Sequence, residues 1–284
     1  MSRKPPKIAL LYDFDKTLST KDMQEYSFIP NLGMSAGEFW QGANDISVEL
    51  GMDRILAYMY LMIKKAKAKG VPIRRENFVQ LGRDIEFLPG VTTWFERINE
   101  FGREHGAEIQ HYIISSGLKE IIEGSKICKE FKKIYACEFH YDENGIADWP
   151  LLAVNYTAKT QFPYRINKGV LEISNDADLN NFVPKDDRPV PFRNMIYIGD
   201  GLTDVPCMKL VKTNGGQSIA VYTQKNKVED LLRHGRVNYL APANYCAGSY
   251  LDTLIKEIIV QMISTDLLIR KSKNQVKRLP DVAE

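Results

Sequence analysis

An apolar run that ends in two acidic residues is the feature that most constrains the fold of this chain. The run from Ile8 to Leu11 predicts a short buried strand, and Asp13 and Asp15 follow where that strand should end. The carboxyl ends of the strands in a parallel sheet border the crevice in which such sheets bind ligands. The sequence thus places two carboxylates at the mouth of a candidate site, unless they only form a solvated turn, where Asp is common.

Two later apolar segments also end in polar groups. A predicted strand over 109–114 leads into Ser115-Ser116-Gly117, and a predicted strand over 195–198 leads into a glycine-rich segment that carries Asp200 and Asp204. A single polar strand end can be a plain turn, whereas three at one edge of a parallel sheet make a site. We therefore expect the three segments to meet.

Strands that alternate with helices along the chain predict an α/β fold, a doubly wound parallel sheet with a Rossmann-like core. Residues 20–88 show only helical patterns, for example an N-capped helix over 35–50 and a second helix over 53–69. This predicts a small all-helical cap domain over 20–88, inserted after the first strand into a catalytic core of 1–19 and 89–284. The roles of a predicted hairpin over 134–150 and of a polar loop over 175–193 stay open.

Composition and charge exclude several classes of function. The 284 residues include 38 basic and 36 acidic side chains, a net charge of +2 that gives no nucleic-acid or anionic-membrane signal. No apolar run approaches the about 20 residues of a membrane span, and the one near the N-terminus is too short for a secretory signal. The four cysteines are scattered, which predicts reduced thiols. We expect a cytoplasmic monomer or homodimer without nucleic-acid or membrane partners.

The residue types at the strand ends point to a hard metal ion and a phosphate. Carboxylates gathered at one edge repel each other unless a cation lies among them, and an all-oxygen ligand set favours Mg²⁺. The four histidines lie outside these segments, so a zinc site is not expected. Mg²⁺ with nearby hydroxyl and backbone donors is suited to phosphoryl transfer. No P-loop motif is present, and a carboxylate can instead serve as a covalent nucleophile.

The order of these motifs resembles the haloacid dehalogenase superfamily of phosphohydrolases. Asp13 to Thr17 matches its D-x-D-x-T motif, the strand that ends at Ser115 matches its second motif, and Gly199 to Asp204 matches its G-D-G-x-x-D motif. The helical insertion is similar to the cap of the phosphoserine phosphatase-like branch. The resemblance implies a cap that excludes water and selects a small phosphorylated metabolite.

The resemblance also implies a role for each motif residue. Asp13 would attack phosphorus and form an aspartyl-phosphate, while Asp15 would protonate the leaving oxygen, later activate water, and bind Mg²⁺ through its main-chain carbonyl. The implied metal set is Asp13, Asp15, Asp200 and Asp204, and the implied phosphate-binding set is Ser115, Ser116, Gly117 and Lys168.

Two assignments within this set have competitors. Lys159 competes with Lys168 for the third motif, and we favour Lys168 because a helix is predicted to begin near Asn167 and so to follow it at once. Ser115 is favoured over Ser116 as the main phosphate ligand because it is the first residue after the strand. Both choices depend on where a predicted element begins or ends.

The expected function is a Mg²⁺-dependent phosphatase that hydrolyses a small-molecule phosphomonoester. The alternatives are a phosphotransferase or phosphomutase on the same fold, or a catalytically idle phosphate-binding regulatory protein. The substrate is not identified. Asp22 lies about where phosphoserine phosphatases carry a Glu that reads the amino group, and Glu25 lies one turn further on.

Overall fold

A seven-stranded sheet forms the centre of the molecule in a computed structural model that describes residues 5–185 and 187–279. The strand order is β4-β3-β2-β1-β5-β6-β7. Neighbouring strands pair in parallel, except that β3 and β4 form an antiparallel hairpin. The predicted α/β fold is confirmed. The strands are β1 (Lys7–Tyr12), β2 (Glu108–Leu118), β3 (Lys133–Tyr141), β4 (Ala147–Leu152), β5 (Met195–Gly199), β6 (Gln217–Tyr222) and β7 (Tyr239–Pro242).

Helices connect the strands. Four lie between β1 and β2, ahead of a fifth that packs on β2, and the remaining six follow later in the chain. The α-helices are α1 (Phe28–Asn31), α2 (Ala36–Leu50), α3 (Arg54–Lys69), α4 (Arg75–Leu81), α5 (Val91–Glu104), α6 (Lys119–Glu123), α7 (Gln161–Lys168), α8 (Asp176–Asn180), α9 (Val205–Thr213), α10 (Glu229–Arg233) and α11 (Tyr250–Val276). No helix in this described part of the chain combines the length and the apolar character needed to cross a bilayer.

The strand order reverses direction at the centre of the sheet. From β1 the chain adds β2 and β3 on one side, and it then returns to add β5, β6 and β7 on the other. Ligands of open α/β sheets bind outside the carboxyl ends of the strands at such a switch point. The residues Ile8 to Tyr12 of β1 are fully buried, as expected of a strand in a parallel sheet that is covered on both faces. The core therefore holds the end of β1 rigidly at the crevice.

The segment between β1 and α5 is helical, as the sequence predicts. Ser35 and Glu38 form a capping box at the start of α2, and Gly51 ends that helix in the left-handed conformation with a φ of 59°. Outside the named strands, the described part of this segment has only isolated bridges, one of them between Ser19 and Phe87 at its two ends. The exact division into a core of 1–19 and 89–284 and a cap of 20–88 stays a prediction.

The last helix of this segment, α4, packs closely against β3 and α6. The ring of Phe78 stacks on Phe139 of β3 with the centroids 5.6 Å apart. A side chain at Gly82 would overlap the carbonyl oxygen of Ile121, and one at Gly124 would overlap that of Val79, so α4 and α6 approach at backbone distance. The contact of Phe78 with Phe139 places the β3–β4 hairpin beside α4.

Three predicted elements differ from the observed ones. The sequence pattern predicts a helix over 118–131, but the chain forms a longer β2, the short α6 and a 3-10 turn at Cys128–Glu130, because β2 continues past a register shift that follows Ile114. The loop over 175–193 contains α8 and a second 3-10 turn, Phe192–Asn194. The sequence pattern predicts a last helix over 249–269, but α11 continues to Val276.

Candidate active site

The site lies where β1 and β5 end side by side. Asp13 directly follows β1, and Asp200 directly follows β5. The Asp13 backbone N–H donates to the carbonyl oxygen of Ile198 at 2.9 Å, which continues the pairing of the two strands by one residue. Both acids therefore occupy the switch point of the sheet, on backbone that the core fixes.

Three carboxylates converge at this point. One oxygen each of Asp13, Asp200 and Asp204 lies within 4.8 Å of the other two. Burial, reinforced by the negative charge of Asp204, raises the pKa of Asp13 to about 7. Burial and the charges of Asp13 and Asp204 raise the pKa of Asp200 to about 8. Such a cluster favours a bound cation, which would lower these pKa values again.

The donor set fits a hard divalent cation. All the ligand atoms of the cluster are carboxylate oxygens. Mg²⁺ prefers oxygen ligands, whereas softer metals prefer nitrogen and sulfur. Asp204 is fully buried, and its Oδ2 has no hydrogen-bond partner among residues 5–185 and 187–279. A buried carboxylate oxygen without a partner is unfavourable, so it needs a ligand of this kind. A side chain at Gly199 would overlap the Asp204 carboxylate, so only glycine leaves room for this arrangement.

A buried lysine joins two of the three acids. The ammonium of Lys159 donates to Oδ1 of Asp13 at 2.9 Å and to Oδ1 of Asp204 at 2.8 Å. The Tyr197 hydroxyl donates to the same oxygen of Asp204 at 2.8 Å. Burial by itself would lower the pKa of Lys159, but the charges of Asp13 and Asp204 outweigh it and raise that pKa. Lys159 is therefore a fixed positive charge beside the candidate nucleophile.

The preference for Lys168 over Lys159 was wrong. The Lys168 ammonium donates to the backbone carbonyls of Leu179 and Asn181, and it does not line the active-site cavity. The helix predicted to begin near Asn167 instead ends at Lys168, where Gly169 takes a φ of 73° and terminates it. Lys159 lies in a 3-10 turn, Ala158–Thr160, and α7 begins directly after this turn. The lysine that a helix follows is therefore Lys159, whereas Lys168 ends that helix.

Asp15 lies beside this cluster but faces a different partner. Its Oδ1 accepts the backbone N–H of Met23 at 2.8 Å. Burial, together with the charges of Asp22 and Asp13, raises the pKa of Asp15 well above its ordinary value. A side chain at Gly117 would overlap Met23 and the Asp15 carboxylate, so the backbone of β2 packs directly against both side chains. Asp15 is thus suited to carry a proton. Its role as a carbonyl ligand of Mg²⁺ stays a prediction.

The two serines of the second motif are held in different ways. Ser115 is fully buried, and its hydroxyl accepts the backbone N–H of Gly117 at 3.0 Å. The Ser116 hydroxyl donates to the carbonyl oxygen of Val154 at 2.7 Å, yet Ser116 is the one of the two that lines the cavity. The order of preference between these serines therefore stays a prediction.

The helical segment between β1 and α5 makes two further contacts that the sequence did not indicate. Tyr58 of α3 is buried, and its hydroxyl donates to the Ser116 carbonyl oxygen at 2.7 Å. Beside it, the side-chain amide of Asn155 donates to the carboxylate of Asp53, the N-cap of α3, at 3.0 Å. These two bonds join α3 to the loops that shape the site.

These groups enclose a cavity of about 190 Å³. Apart from Gly201, its lining residues are polar or charged, and they include four acids and two lysines. The lining residues are Asp13, Asp15, Lys16, Asp22, Ser116, Lys159, Asp200, Gly201 and Thr203. The arrangement places a buried carboxylate, a second acid with a raised pKa and a fixed cation within one small space, which suits attack on an anionic centre.

Comparison with known proteins adds a family to this geometry. The sequence profile of the haloacid dehalogenase-like hydrolases matches residues 10–209. An uncharacterized protein of Borreliella burgdorferi is 30% identical to this chain, in an alignment that covers 89% of this chain and 96% of that protein.

Solved structures of low sequence identity share the fold. A haloacid dehalogenase family hydrolase of Salmonella enterica serovar Typhi has a TM-score of 0.59 at 17% identity, covering 89% of this chain and 72% of that one. A substrate-bound phosphoserine phosphatase has a TM-score of 0.54 at 13% identity, covering 82% and 92%. A probable phosphoserine phosphatase of Vibrio cholerae has a TM-score of 0.57 at 12% identity, covering 95% and 68%. With the profile match over residues 10–209, the chain belongs to the haloacid dehalogenase-like hydrolase family.

Proposed function

We propose that this protein is a Mg²⁺-dependent phosphatase that hydrolyses a small phosphomonoester through an aspartyl-phosphate on Asp13. The observation that carries this proposal is the buried Lys159 ammonium, which bridges Asp13 and Asp204 at 2.9 and 2.8 Å. An anionic nucleophile approaches an anionic phosphate only where fixed positive charge offsets their repulsion. Lys159 supplies such charge at the nucleophile itself.

The side chains divide the reaction into two steps. In the first, an oxygen of Asp13 bonds to phosphorus, the bond from phosphorus to the leaving oxygen breaks, and Asp15 gives that oxygen a proton. In the second, water bonds to phosphorus, Asp15 takes a proton from the water, and the bond to Asp13 breaks. The raised pKa of Asp15 supports this role, because a general acid must hold its proton until the leaving oxygen needs it.

The carboxylates of Asp13, Asp200 and Asp204 would hold the metal ion. When bound, Mg²⁺ supplies positive charge that stabilises the phosphoryl oxygens during transfer. The all-oxygen donor set and the unpartnered Oδ2 of Asp204 support this choice of ion. Lys159 would then hold Asp13 in position and share in offsetting the phosphoryl charge.

The small size of the cavity supports a small substrate. Water occupies about 30 Å³ in the liquid, so about 190 Å³ has room for roughly six water-sized groups. A phosphoryl group and its surrounding ligands take up most of this space. The presence of a nucleophile, a proton carrier and a buried cation together favours catalysis over an idle phosphate-binding role.

Hydrolysis of p-nitrophenyl phosphate tests the proposal. The protein should release p-nitrophenol in the presence of Mg²⁺, and the rate should fall to background with a chelator and recover when Mg²⁺ is added back. The Asp13→Asn variant should be inactive but keep the circular dichroism spectrum and thermal midpoint of a folded chain. Full activity in this variant, or activity that a chelator does not change, would refute the mechanism. Release of inorganic phosphate in equal amount would separate hydrolysis from transfer to a second hydroxyl.

A further inference from the structure

A second cavity adjoins the active-site cavity, and we call it the outer cavity. It measures about 210 Å³ and shares Lys16 and Asp200 with the first. Thr20 and Leu88, at the two ends of the helical insertion, form one wall. The end of β6 and the segment after it form the other wall, through Val221, Tyr222, Thr223, Gln224, Lys227 and Val228. The two cavities therefore meet at Lys16 and Asp200, and Asp200 lies in the same carboxylate cluster as Asp13.

The active-site cavity leaves little space for the rest of a substrate. It has room for roughly six water-sized groups, and the phosphoryl group with its ligands occupies most of that volume. On the side of the helical insertion, the Tyr58 hydroxyl binds the carbonyl oxygen of Ser116 and the Met23 N–H binds Asp15, so both of these lining residues are tied to that insertion. The part of the substrate beyond the ester oxygen thus has to extend elsewhere, and the outer cavity is next to it.

The wall formed by the segment after β6 carries exposed polar side chains that have no partner in the part of the protein that the structure describes. Residues 223–227 include two lysines and no acid. Within residues 5–185 and 187–279, the side chains of Thr223, Gln224 and Lys227 form no hydrogen bond or ion pair. Apolar groups of Leu88 and Val228 lie behind them. The outer cavity therefore offers a short apolar surface that ends in hydrogen-bond donors and a cation.

Of the two lysines that line this cavity, only Lys227 has an uncompensated charge. The Lys16 ammonium lies 2.6 Å from Oδ2 of Asp22, so an acid already neutralises it. Lys16 also takes a φ of 57°, an uncommon conformation for a residue other than glycine, which fixes it at the boundary of the two cavities. The single acid of the outer cavity, Asp200, belongs to the carboxylate cluster. The one lysine of this cavity without an acid partner among the described residues, Lys227, therefore belongs to the segment after β6.

We propose that the outer cavity binds the leaving group of the substrate and that this group is short and ends in an anion, a carboxylate or a second phosphate, which Lys227 binds. This inference rests on the proposed phosphatase function. A volume of about 210 Å³ has room for roughly seven water-sized groups, which admits a chain of a few carbon atoms with its terminal anion but no nucleoside.

A series of matched esters tests the inference. Propyl phosphate has an uncharged leaving group, 3-phosphonooxypropanoate ends in a carboxylate, propane-1,3-diyl bisphosphate ends in a phosphate, and 3-aminopropyl phosphate ends in a cation. Initial rates of phosphate release in Mg²⁺ give kcat/KM for each ester. We expect at least one anionic ester to exceed propyl phosphate by about tenfold and the cationic ester to fall below it, as one charge-assisted hydrogen bond predicts. The better of the two anionic esters identifies the terminal group.

The Lys227→Met variant locates the effect. It should lower kcat/KM for the preferred anionic ester by about five- to tenfold and leave that for propyl phosphate within about twofold, since a partly exposed charge is screened by solvent. Lys227→Arg should keep most of the preference. Lys225→Met is the matched control, because Lys225 belongs to the same segment but lines a different cavity, beside Tyr250. Equal losses in the Lys227→Met and Lys225→Met variants would overturn the proposal.

The two proposals fail in different ways. If no ester of the series and no p-nitrophenyl phosphate is hydrolysed, the phosphatase function is refuted and the leaving-group site with it. If p-nitrophenyl phosphate and all the esters are hydrolysed with equal kcat/KM, or the cationic ester is preferred, only the anionic leaving-group site is refuted.

Discussion

The ammonium nitrogen of Lys159 lies 2.9 Å from Oδ1 of Asp13, although 146 residues separate the two in the sequence. Both side chains are buried, so the ion pair is little weakened by solvent. A charged pair removed from water in this way is poor evidence for stability, because desolvation opposes the attraction. Its position at the switch point of the sheet is better explained by chemistry on an anionic substrate.

Replacement of Lys159 by methionine should lower the rate of catalysis strongly, because it removes the fixed positive charge beside Asp13. We expect kcat in the Lys159→Met variant to fall by about 10²–10³-fold, the usual loss when one electrostatic stabiliser is deleted. Lys168→Met is the matched control and should stay within about threefold of the parent, because Lys168 binds backbone carbonyls away from the cavity. Steady-state kinetics on p-nitrophenyl phosphate measures both. A larger loss in the Lys168 variant would reverse the assignment.

Removal of the Tyr58 hydroxyl should loosen the contact of α3 with the site. We expect Tyr58→Phe to lower the free energy of unfolding by about 1 kcal/mol, the typical value for one buried hydrogen bond, and to raise KM. Tyr60, two residues further along α3, is exposed, so Tyr60→Phe should change neither quantity. Urea unfolding followed by circular dichroism, with kinetics on the same samples, makes the comparison. Indistinguishable results for the two variants would show that the Tyr58–Ser116 bond does not support the site.

A side chain at Gly124 should separate α4 from the core. The Gly124→Ala variant should lose roughly 2–3 kcal/mol of unfolding free energy, since overpacking against a backbone carbonyl forces the chain to shift. The new Cβ would meet the carbonyl oxygen of Val79 in α4. Gly37 of α2 has nothing within 4 Å of such a Cβ, so Gly37→Ala should be neutral or slightly stabilising. Thermal unfolding of both variants tests this, and a Gly124→Ala variant as stable as the parent would contradict the close packing.

Stability at acid pH should depend on His111. Burial lowers the pKa of His111 to about 3, and its ring nitrogens lie 3.0 Å from the Tyr12 hydroxyl and 3.1 Å from Oδ1 of Asn99. Below pH 6.5 the unfolded chain binds a proton at this residue that the folded chain does not bind until about pH 3. The free energy of unfolding therefore falls as the pH drops through this window, by up to about 5 kcal/mol from this residue.

The His111→Gln variant should remove this share of the pH dependence. We expect its free energy of unfolding to fall less steeply between pH 6.5 and pH 4 than that of the parent, whatever its absolute stability. His234→Gln serves as the control because His234 is exposed, and its slope should match that of the parent. Urea unfolding at a series of pH values gives the slopes. Equal slopes for the parent and His111→Gln would show that His111 titrates normally in the folded chain.

The sequence indicated those parts of the site that local pattern determines. A carboxylate directly after an apolar strand is visible in the sequence, and Asp13 and Asp200 lie where this pattern placed them. The start of α2 was equally local, because the Ser35–Glu38 capping box depends on two residues three apart. The parallel sheet followed from the order of such segments.

Contacts between distant segments were not predictable in this way. The choice of lysine depended on the start of α7, and helix boundaries are the least certain part of a sequence-based prediction. Nothing near Tyr58 in the sequence indicates that its hydroxyl reaches Ser116, since tertiary packing alone brings α3 to that loop. The same holds for Tyr197. It lies within the buried strand β5, and nothing in the sequence indicates that its hydroxyl donates to Asp204.

The central claim is that Asp13 carries the phosphoryl group, and chemical trapping tests it most directly. The enzyme should be mixed with Mg²⁺ and p-nitrophenyl phosphate, quenched during turnover and reduced with borohydride, which converts an aspartyl-phosphate to homoserine. Peptide mass spectrometry should then find homoserine at position 13 and unmodified aspartate at Asp15 and Asp200. A phosphoryl group on Ser115 or Ser116, or active enzyme whose Asp13 is never modified, would contradict the account.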